Sequence, residues 1–379
     1  MKMKHRFVIP LLVYLCALAA ACHRGPAYAR LASTPADFAR LNLTADIQTH
    51  EDGMRTDGRS GNFEWWYFDG HLTDGTKIVV VFFTKPMTEQ DSELSPFVTI
   101  HIDYPDGRKI EKSVIVSPDE FSASKEKCDV KIGANYFRGD LQTYEIFTEI
   151  ENVRVDLRLE SQVPSYRPAT GYLLFGEKNY FAWLAAVPRG KISGTLVVDG
   201  ESRAIDGSGY HDHNWGDIGP HIAMSNWYWA RAEIGEYTVI TSYITAEERF
   251  GHAKFPMFML ARGREIIAAE GYNYMTFERE DLWHHEKTGK PIDNVIRSIY
   301  KDGDTEYTVE FRREKNILDY EFITHLDFFK ATIARLVGFD GAYHRFVGRV
   351  KLDVREGARR ETHEGDAIWE LMYFGSNLD

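Results

Sequence analysis

Hydrophobic positions in this chain recur at every second residue over much of its length. Val98, Ile100, Ile102 and Tyr104 alternate with Thr99, His101 and Asp103. Val153, Val155, Leu157 and Leu159 alternate with Arg154, Asp156, Arg158 and Glu160, and Phe346, Val350, Leu352 and Val354 share a face against Val347, Arg349, Lys351 and Asp353. A strand turns successive side chains to opposite faces, so this period predicts antiparallel strands with one face on a core and the other in water. Asp74-Gly75, Pro105-Asp106-Gly107, Asp199-Gly200 and Asp302-Gly303-Asp304 supply turns between them. Two nearly unbroken apolar runs, Lys77–Thr84 and Tyr237–Ile244, each follow an aromatic stretch: Trp65-Trp66-Tyr67-Phe68 and Trp227-Tyr228-Trp229. Each half also closes on an aromatic, polar, glycine-terminated stretch, Tyr210–Gly216 and Ile368–Gly375. This weak internal duplication predicts two similar β domains, residues 61–220 and 221–379. Closing each sheet into a barrel would remove its exposed edges and leave room for one ligand. One stretch has a helical period instead. In His325–Phe339, Leu326, Phe329, Ile333, Leu336 and Val337 predict an amphipathic helix near the C-terminus, serving as a cap on a barrel end or as a lid or membrane-facing element.

The first sixty residues read differently. Lys2, Lys4 and Arg6 precede an apolar stretch from Phe7 to Ala21, too short to span a membrane, which ends Leu18-Ala19-Ala20-Ala21-Cys22. Residues 1–21 are expected to be a lipoprotein signal peptide, with a lipid anchor on Cys22. The leucine sits one place further from Cys22 than in the usual lipobox, so ordinary signal cleavage is the alternative. The residue after Cys22 is His23, and the protein is expected on the outer membrane, facing the periplasm. Residues 22–60, mostly small and polar, are expected to be a tether with a short helical piece after Ser33-Thr34-Pro35. Cys128 is then the one cysteine of the mature domains, which excludes an internal disulfide.

Charge narrows the partners. The net charge is −12, and removing residues 1–21, with three cations and no acid, takes it to −15. That argues against nucleic acid and against binding anionic lipid by charge alone. Aromatic content is high, with 8 Trp and 20 Tyr, as expected of thick β cores or of apolar ligand cavities.

Chemistry concentrates in Gly209-Tyr210-His211-Asp212-His213-Asn214-Trp215-Gly216. Imidazoles and a carboxylate side by side are costly to bury without partners, and they hold and move protons near neutral pH. On an extended strand His211 and His213 face one side and Asp212 the other. Three readings stay open: a metal-ligand pair short of its third ligand, with His284-His285-Glu286 far along the chain; acid–base chemistry, with a carboxylate tuning an imidazole; and a structural hydrogen-bonded stitch between domains. The second stretch is Glu64-Trp65-Trp66-Tyr67-Phe68-Asp69-Gly70-His71. Glu64 within an aromatic wall could protonate an alkene, or it pairs with an arginine or a backbone amide. Trp227, Trp229, Arg231 and Glu233 share a strand face, and Glu370 on the last strand is expected to pair with Arg231. No nucleophile elbow, phosphate loop or dinucleotide fingerprint occurs, and no cofactor or metal is expected.

These two stretches, with Ile368-Trp369-Glu370-Leu371-Met372-Tyr373-Phe374-Gly375, resemble the family of hydroxyneurosporene synthases (acyclic carotenoid 1,2-hydratases) and their AttH-like relatives, over about Gly61 to Gly375. The resemblance implies an all-β fold of two lipocalin-like, calycin-type antiparallel barrels, and a pocket role for His213 and Trp215. It also implies a Tyr-x-Asp on the strand after the tryptophan-rich one, with the aspartate as proton donor. Here that place is Tyr243-Ile244-Thr245, without the acid, which counts against carotenoid hydration. The expected function is a cell-envelope protein that binds an apolar isoprenoid, polyene or lipid and acts as a hydratase-like lyase or isomerase; the alternative is a non-catalytic carrier or envelope-assembly factor. An acid beside the cavity's apolar wall would separate the two. The expected catalytic residues are His211, Asp212, His213 and Glu64. The expected ligand contacts are Trp65, Trp66, Tyr67, Tyr210, Trp215, Trp227, Trp229, Arg231, Tyr243 and Glu370. The imidazoles are expected to face the cavity with Asp212 turned away, so that His213→Ala harms binding more than stability.

Overall fold

The computed structural model of the chain describes residues 28–87, 89–322 and 341–374. The signal segment with Cys22 and the helix expected over 325–339 lie outside those residues. Within them the protein is two antiparallel sheets. The first has thirteen strands. Its main path runs Lys109–Ile115, Phe97–Asp103, Lys77–Phe83, Phe63–Leu72, Glu201–Gly216, Asn179–Val198, Val153–Ser161, Thr143–Ile150, Asn135–Gly139, Asp129–Ile132 and Phe121–Ala123, each antiparallel to the next. The two terminal strands do not pair with each other, so this sheet is a curled half-barrel. The second sheet has nine strands, in the order Glu265–Ala268, Lys254–Arg262, Tyr237–Ala246, Met224–Ile234, Arg359–Tyr373, Ala342–Glu356, Thr305–Glu321, Pro291–Asp302 and Met275–His284. The all-β antiparallel class read from the period-two pattern is thus the class observed.

In both halves the first and last strands lie side by side. Phe63–Leu72 pairs with Glu201–Gly216, setting Trp66 opposite His213 and Tyr67 opposite Asp212. Met224–Ile234 pairs with Arg359–Tyr373, setting Trp229 opposite Glu370. Alternation then divides each of these strands between two environments. Trp66, Phe68, Ile100, Phe137 and Leu184 fill the inside of the first sheet, and Tyr228, Phe311, Phe346 and Trp369 fill the inside of the second. Their strand neighbours build a third core between the sheets, where Phe63, Trp65, Phe181 and Trp183 meet Ile240, Ile244, Met257 and Met372. Polar contacts fix the junction. Arg231 of the second sheet pairs with Asp69 of the first, and Glu233 accepts from Ser208 and sits 3.1 Å from Arg189. One glycine is required by a close approach. Gly171, at φ +81°, lies where a Cβ would meet the Trp183 carbonyl oxygen at 2.6 Å.

The segment expected as a tether is folded from residue 28 onward. Ala29–Leu31 pairs with Tyr172–Phe175. The helix Pro35–Leu41 is capped reciprocally by Thr34 and Asp37, and Asp37 also holds Arg30 at 2.6 Å. Glu51 forms a buried ion pair with Arg167 at 2.6 Å, and Asp52 beside it is fully buried. Asp37, Glu51 and Asp52 find their partners in Arg30, Arg167 and His211, and periodicity along the segment does not show this.

Candidate functional site

A cavity of about 850 Å³ opens between the two sheets. The strand neighbours of the two inner cores line it. From the first sheet come Trp65, Tyr67, Val79, Val81, Phe83, Trp183, Asp212 and Asn214. From the second come Trp227, Trp229, Ser242, Ile244, Met257, Tyr343, Arg345, Glu370 and Met372. Asp103 and Glu111 also line the cavity; one wall is indole, phenyl and aliphatic, and set into it are two carboxyl groups, Asp212 and Glu370.

Asp212 is the more enclosed of these. Its Oδ2 accepts from Trp183 Nε1 at 3.0 Å and from Tyr210 Oη at 2.8 Å, and its Oδ1 accepts from Asn214 Nδ2 at 2.8 Å. Burial pushes its pKa up to about 6, although those three donors favour the carboxylate and hold the rise in check. A carboxyl group that exchanges its proton near neutral pH, fixed by three donors and facing an apolar void, is equipped as a general acid or base. Glu370 lies across the cavity on the second sheet and is half-buried. Burial raises its pKa too, while a hydrogen bond from Tyr343 Oη opposes the rise. Tyr210, which holds Asp212, is itself packed on the Trp229 ring at 5.5 Å and beneath the Arg231 guanidinium.

The other face of the same strand is sealed. His211 and His213 have no exposed surface and point into the first sheet, away from the cavity. His213 Nε2 lies 2.8 Å from Glu64 Oε1, and His211 Nε2 lies 3.1 Å from Asp52 Oδ2. Glu64 also accepts the backbone N–H groups of Arg55 at 2.6 Å and Thr56 at 2.9 Å. Asp52 accepts from the Tyr144 hydroxyl, and the His211 Nδ1 proton goes to the Tyr67 carbonyl at 2.8 Å. Trp66 stacks on His213 at 4.7 Å, and Phe137 covers His211 at 4.5 Å. Burial opposes the charge of both His211 and Asp52. Their mutual attraction outweighs it, so the imidazole pKa is raised and the carboxyl pKa lowered. The cluster ties the Thr49–Asp52 turn, through its buried Asp52, and residues 55–56 to the middle of the sheet.

The two faces are therefore the reverse of the arrangement expected from sequence. Asp212 lines the cavity, while His211, His213, Glu64, Trp66 and Trp215 sit inside the first sheet; Trp215 Nε1 donates to Tyr172 Oη at 3.1 Å. Alternation was read correctly, but which side held the void depends on where the second sheet packs. Trp65, Tyr67, Trp227, Trp229 and Glu370 do line the cavity. Tyr210 supports it through Asp212. Tyr243 faces the other way and stacks on Phe277 at 4.5 Å, while Ser242 and Ile244 take the cavity side. Arg231 pairs with Asp69 and Glu233, not with Glu370. Among the cavity residues that sequence reading missed are Trp183, Tyr343 and Arg345. The last two share the alternation of His344 and Phe346, which placed them on the opposite face from the second core.

Two groups among the described residues bring metal-ligating atoms together: Asp52, Cys128 and His211, and His285, Asp319 and His344. Neither lines the cavity. In each the carboxylate already serves as acceptor, from His211 and Tyr144 in the first and from His344 Nδ1 at 2.6 Å in the second. Cys128 Sγ donates to the Phe137 carbonyl at 3.5 Å, and Asp52 Oδ1 has no hydrogen-bond partner among the described residues.

Comparison with known proteins agrees with this architecture. The model of the Diels-Alderase-like family matches residues 56–373. A curated relative, the hydroxyneurosporene dehydrogenase of Chlorobaculum tepidum, is 23% identical over 234 residues, 50% of this chain and 58% of that protein. The chain thus spans little more than half the length of that relative. Among solved structures, the AttH of Nitrosomonas europaea superposes with a TM-score of 0.54 at 16% identity, covering 87% of this chain and 97% of that one. Kievitone hydratase from Nectria haematococca gives 0.54 at 14% identity, covering 92% and 97%. The resemblance to AttH-like proteins read from the two aromatic motifs is borne out.

Proposed function

This chain belongs to the Diels-Alderase-like family, and we propose that it is a lyase-like enzyme, a hydratase or isomerase of an apolar, unsaturated small molecule held between its two sheets. The observation that carries this reading is Asp212: a carboxyl group with a pKa near 6, held by three donors, in the wall of an apolar cavity. Protonated Asp212 gives its proton to a carbon of a double bond, and the pair of electrons of that bond forms the new C–H bond. The adjacent carbon becomes a carbocation, which the indole faces of Trp65, Trp183, Trp227 and Trp229 stabilise. Loss of a proton from the next carbon gives the isomer and returns the proton to the Asp212 carboxylate. Addition of water, followed by the same return of a proton, gives the alcohol. An apolar occupant against the tryptophan wall would displace water from around Asp212, which strengthens the charge interactions there. A relative named a hydratase, with the same fold, supports the same class of step.

The test is turnover of a panel of polyenes and isoprenoids by the wild-type protein and by Asp212→Asn, with binding followed separately. Product formed by the wild type and abolished in the variant, with binding retained, supports the reading. Binding without any product in the wild type favours the carrier. We also place the protein at the cell envelope, on the lipobox-like stretch ending at Cys22. Cys22→Ala should release a soluble or unprocessed form, and unchanged fractionation would remove that placement.

A further inference from the structure

The polar end of the cavity has a feature that the chemistry at Asp212 does not use. Arg345 projects into it from the strand Ala342–Glu356, where alternation sends its neighbours His344 and Phe346 into the second core. Its ladder partner is Glu370. Yet among the described residues no carboxylate lies within ion-pair distance of its guanidinium, and nothing accepts its five N–H donors. Glu370 is engaged by the Tyr343 hydroxyl instead. Lys77 lines the same end from the first sheet and is likewise without an ion-pair partner among the described residues. Burial lowers its pKa, and the second contribution in the same direction is the nearby positive charge of Arg345. Two cations therefore converge on one space, with the charges of Asp69 and Asp103 felt at Lys77 and those of Glu370 and Asp69 at Arg345, but with no carboxylate in direct ion-pair contact with either among the described residues. Of the other acids lining the cavity, Asp103 lies 3.8 Å from Lys109 and Glu111 lies 3.8 Å from His101, both half-exposed to water, and Asp212 accepts from three neutral donors.

A half-buried, unpaired guanidinium is costly unless something pairs with it. An arginine fork is also the group that matches a carboxylate through two parallel hydrogen bonds. With Glu370 close by, the end has room for one negative charge and would repel a second. We infer that the natural occupant is amphiphilic: an apolar, unsaturated body against the tryptophan wall, and a single carboxylate bound by Arg345 and Lys77. This rests on the reading of the cavity as the substrate site, and it adds that the substrate is a monoanion. The carboxylate fixes the register of the chain, and so decides which double bond lies beside Asp212.

The probe is cis-parinaric acid, a fluorescent conjugated tetraene carboxylate, with its methyl ester as the uncharged counterpart, titrated at pH 8 into the wild type, Arg345→Gln and Arg345→Lys. The wild type should bind the acid about tenfold or more tighter than the ester, the scale of one charge-assisted pair. Arg345→Gln should bring the acid down to the level of the ester without changing the ester, and Arg345→Lys should fall between. Equal affinity of the wild type for acid and ester overturns the head-group inference while leaving the apolar cavity intact, and needs no variant. Equal weakening of acid and ester in Arg345→Gln also overturns it. If neither probe binds the wild type, the cavity reading fails and this inference fails with it.

Discussion

The two faces of the strand Glu201–Gly216 carry the same kinds of residue and do opposite things. On one, His211 and His213 meet Asp52 and Glu64 in a closed network with aromatic rings above and below. On the other, Asp212 meets Trp183, Tyr210 and Asn214 beside an open cavity. Titratable groups, buried hydrogen bonds and aromatic neighbours do not separate them. What separates them is space: one carboxyl group faces a void that a substrate can enter, and the imidazoles face packed atoms. A buried cluster of ionisable groups is thus evidence of function only once a cavity reaches it.

The largest effect expected from breaking this comparison is on the sealed side. Glu64→Ala removes the partner of His213 and of the Arg55 and Thr56 N–H groups at once. Leaving such groups unpaired in a core costs about 3–5 kcal/mol. Urea denaturation should show this loss, while ligand affinity per folded molecule stays the same. A variant of normal stability and impaired binding would return the imidazole face to the active site.

Asp212→Asn should do the reverse. Turnover should fall by about 10²–10⁴-fold, the range for losing a positioned general acid or base, with a small change in the urea midpoint. With Asp212 as proton donor, the wild-type rate falls as pH rises through about 6, because the proton to be given is then lost.

Much of this was legible in the sequence, and the part that was not has a common cause. Alternation in Val153–Ser161 and in Phe346–Val354 placed core and solvent faces correctly, because each strand's neighbours in sequence settle its pleat. Glu64-Trp65-Trp66-Tyr67 and Tyr210–Gly216 were rightly put side by side, as the strands that open and close the first half. The sidedness of the site was not legible. The strands are apolar or aromatic on both faces, since one packs inside the first sheet and the other against the second, and no period tells those apart. Tyr243 was misplaced for the same reason. Glu51 and Asp52 hid the folding of residues 28–60, because an acid gives no local sign of the arginine or histidine that will meet it far along the chain.

The two faces should also respond oppositely to pH. The folded pKa of His211 is raised, so its contribution to stability is full below 6.5 and is lost as pH rises through the folded value. The folded pKa of Asp52 is lowered, so its contribution is full above 3.8 and is lost as pH falls through the folded value. The sealed pair is therefore worth most between 3.8 and 6.5. The carboxyl of Asp212 is raised, and its contribution is full below 3.8 and lost as pH rises through about 6. Denaturation midpoints against pH should show a decline over that interval which disappears in Asp212→Asn, while the acid limb set by Asp52 remains. A decline that survives the substitution would mean that Asp212 does not titrate there.

The smallest change sharpens the comparison most. Trp183→Phe keeps a ring in the cavity wall, packed edge-on to Tyr166 as the indole is at 5.9 Å, and removes one N–H donor from the Asp212 carboxylate. That donor favours the ionised form, and losing it should raise the Asp212 pKa further, by up to about one unit if the bond contributes the ~1.4 kcal/mol that a unit represents. The falling limb of the rate profile should then move to higher pH, with the maximal rate largely kept. The same substitution cannot reach the sealed cluster, whose ionisable groups lie on the other side of the strand. A limb that moves identifies Asp212 as the group whose proton the reaction uses. A limb that stays while stability falls would assign Trp183 to packing alone and leave the titrating group elsewhere in the cavity, with Glu370 next in line.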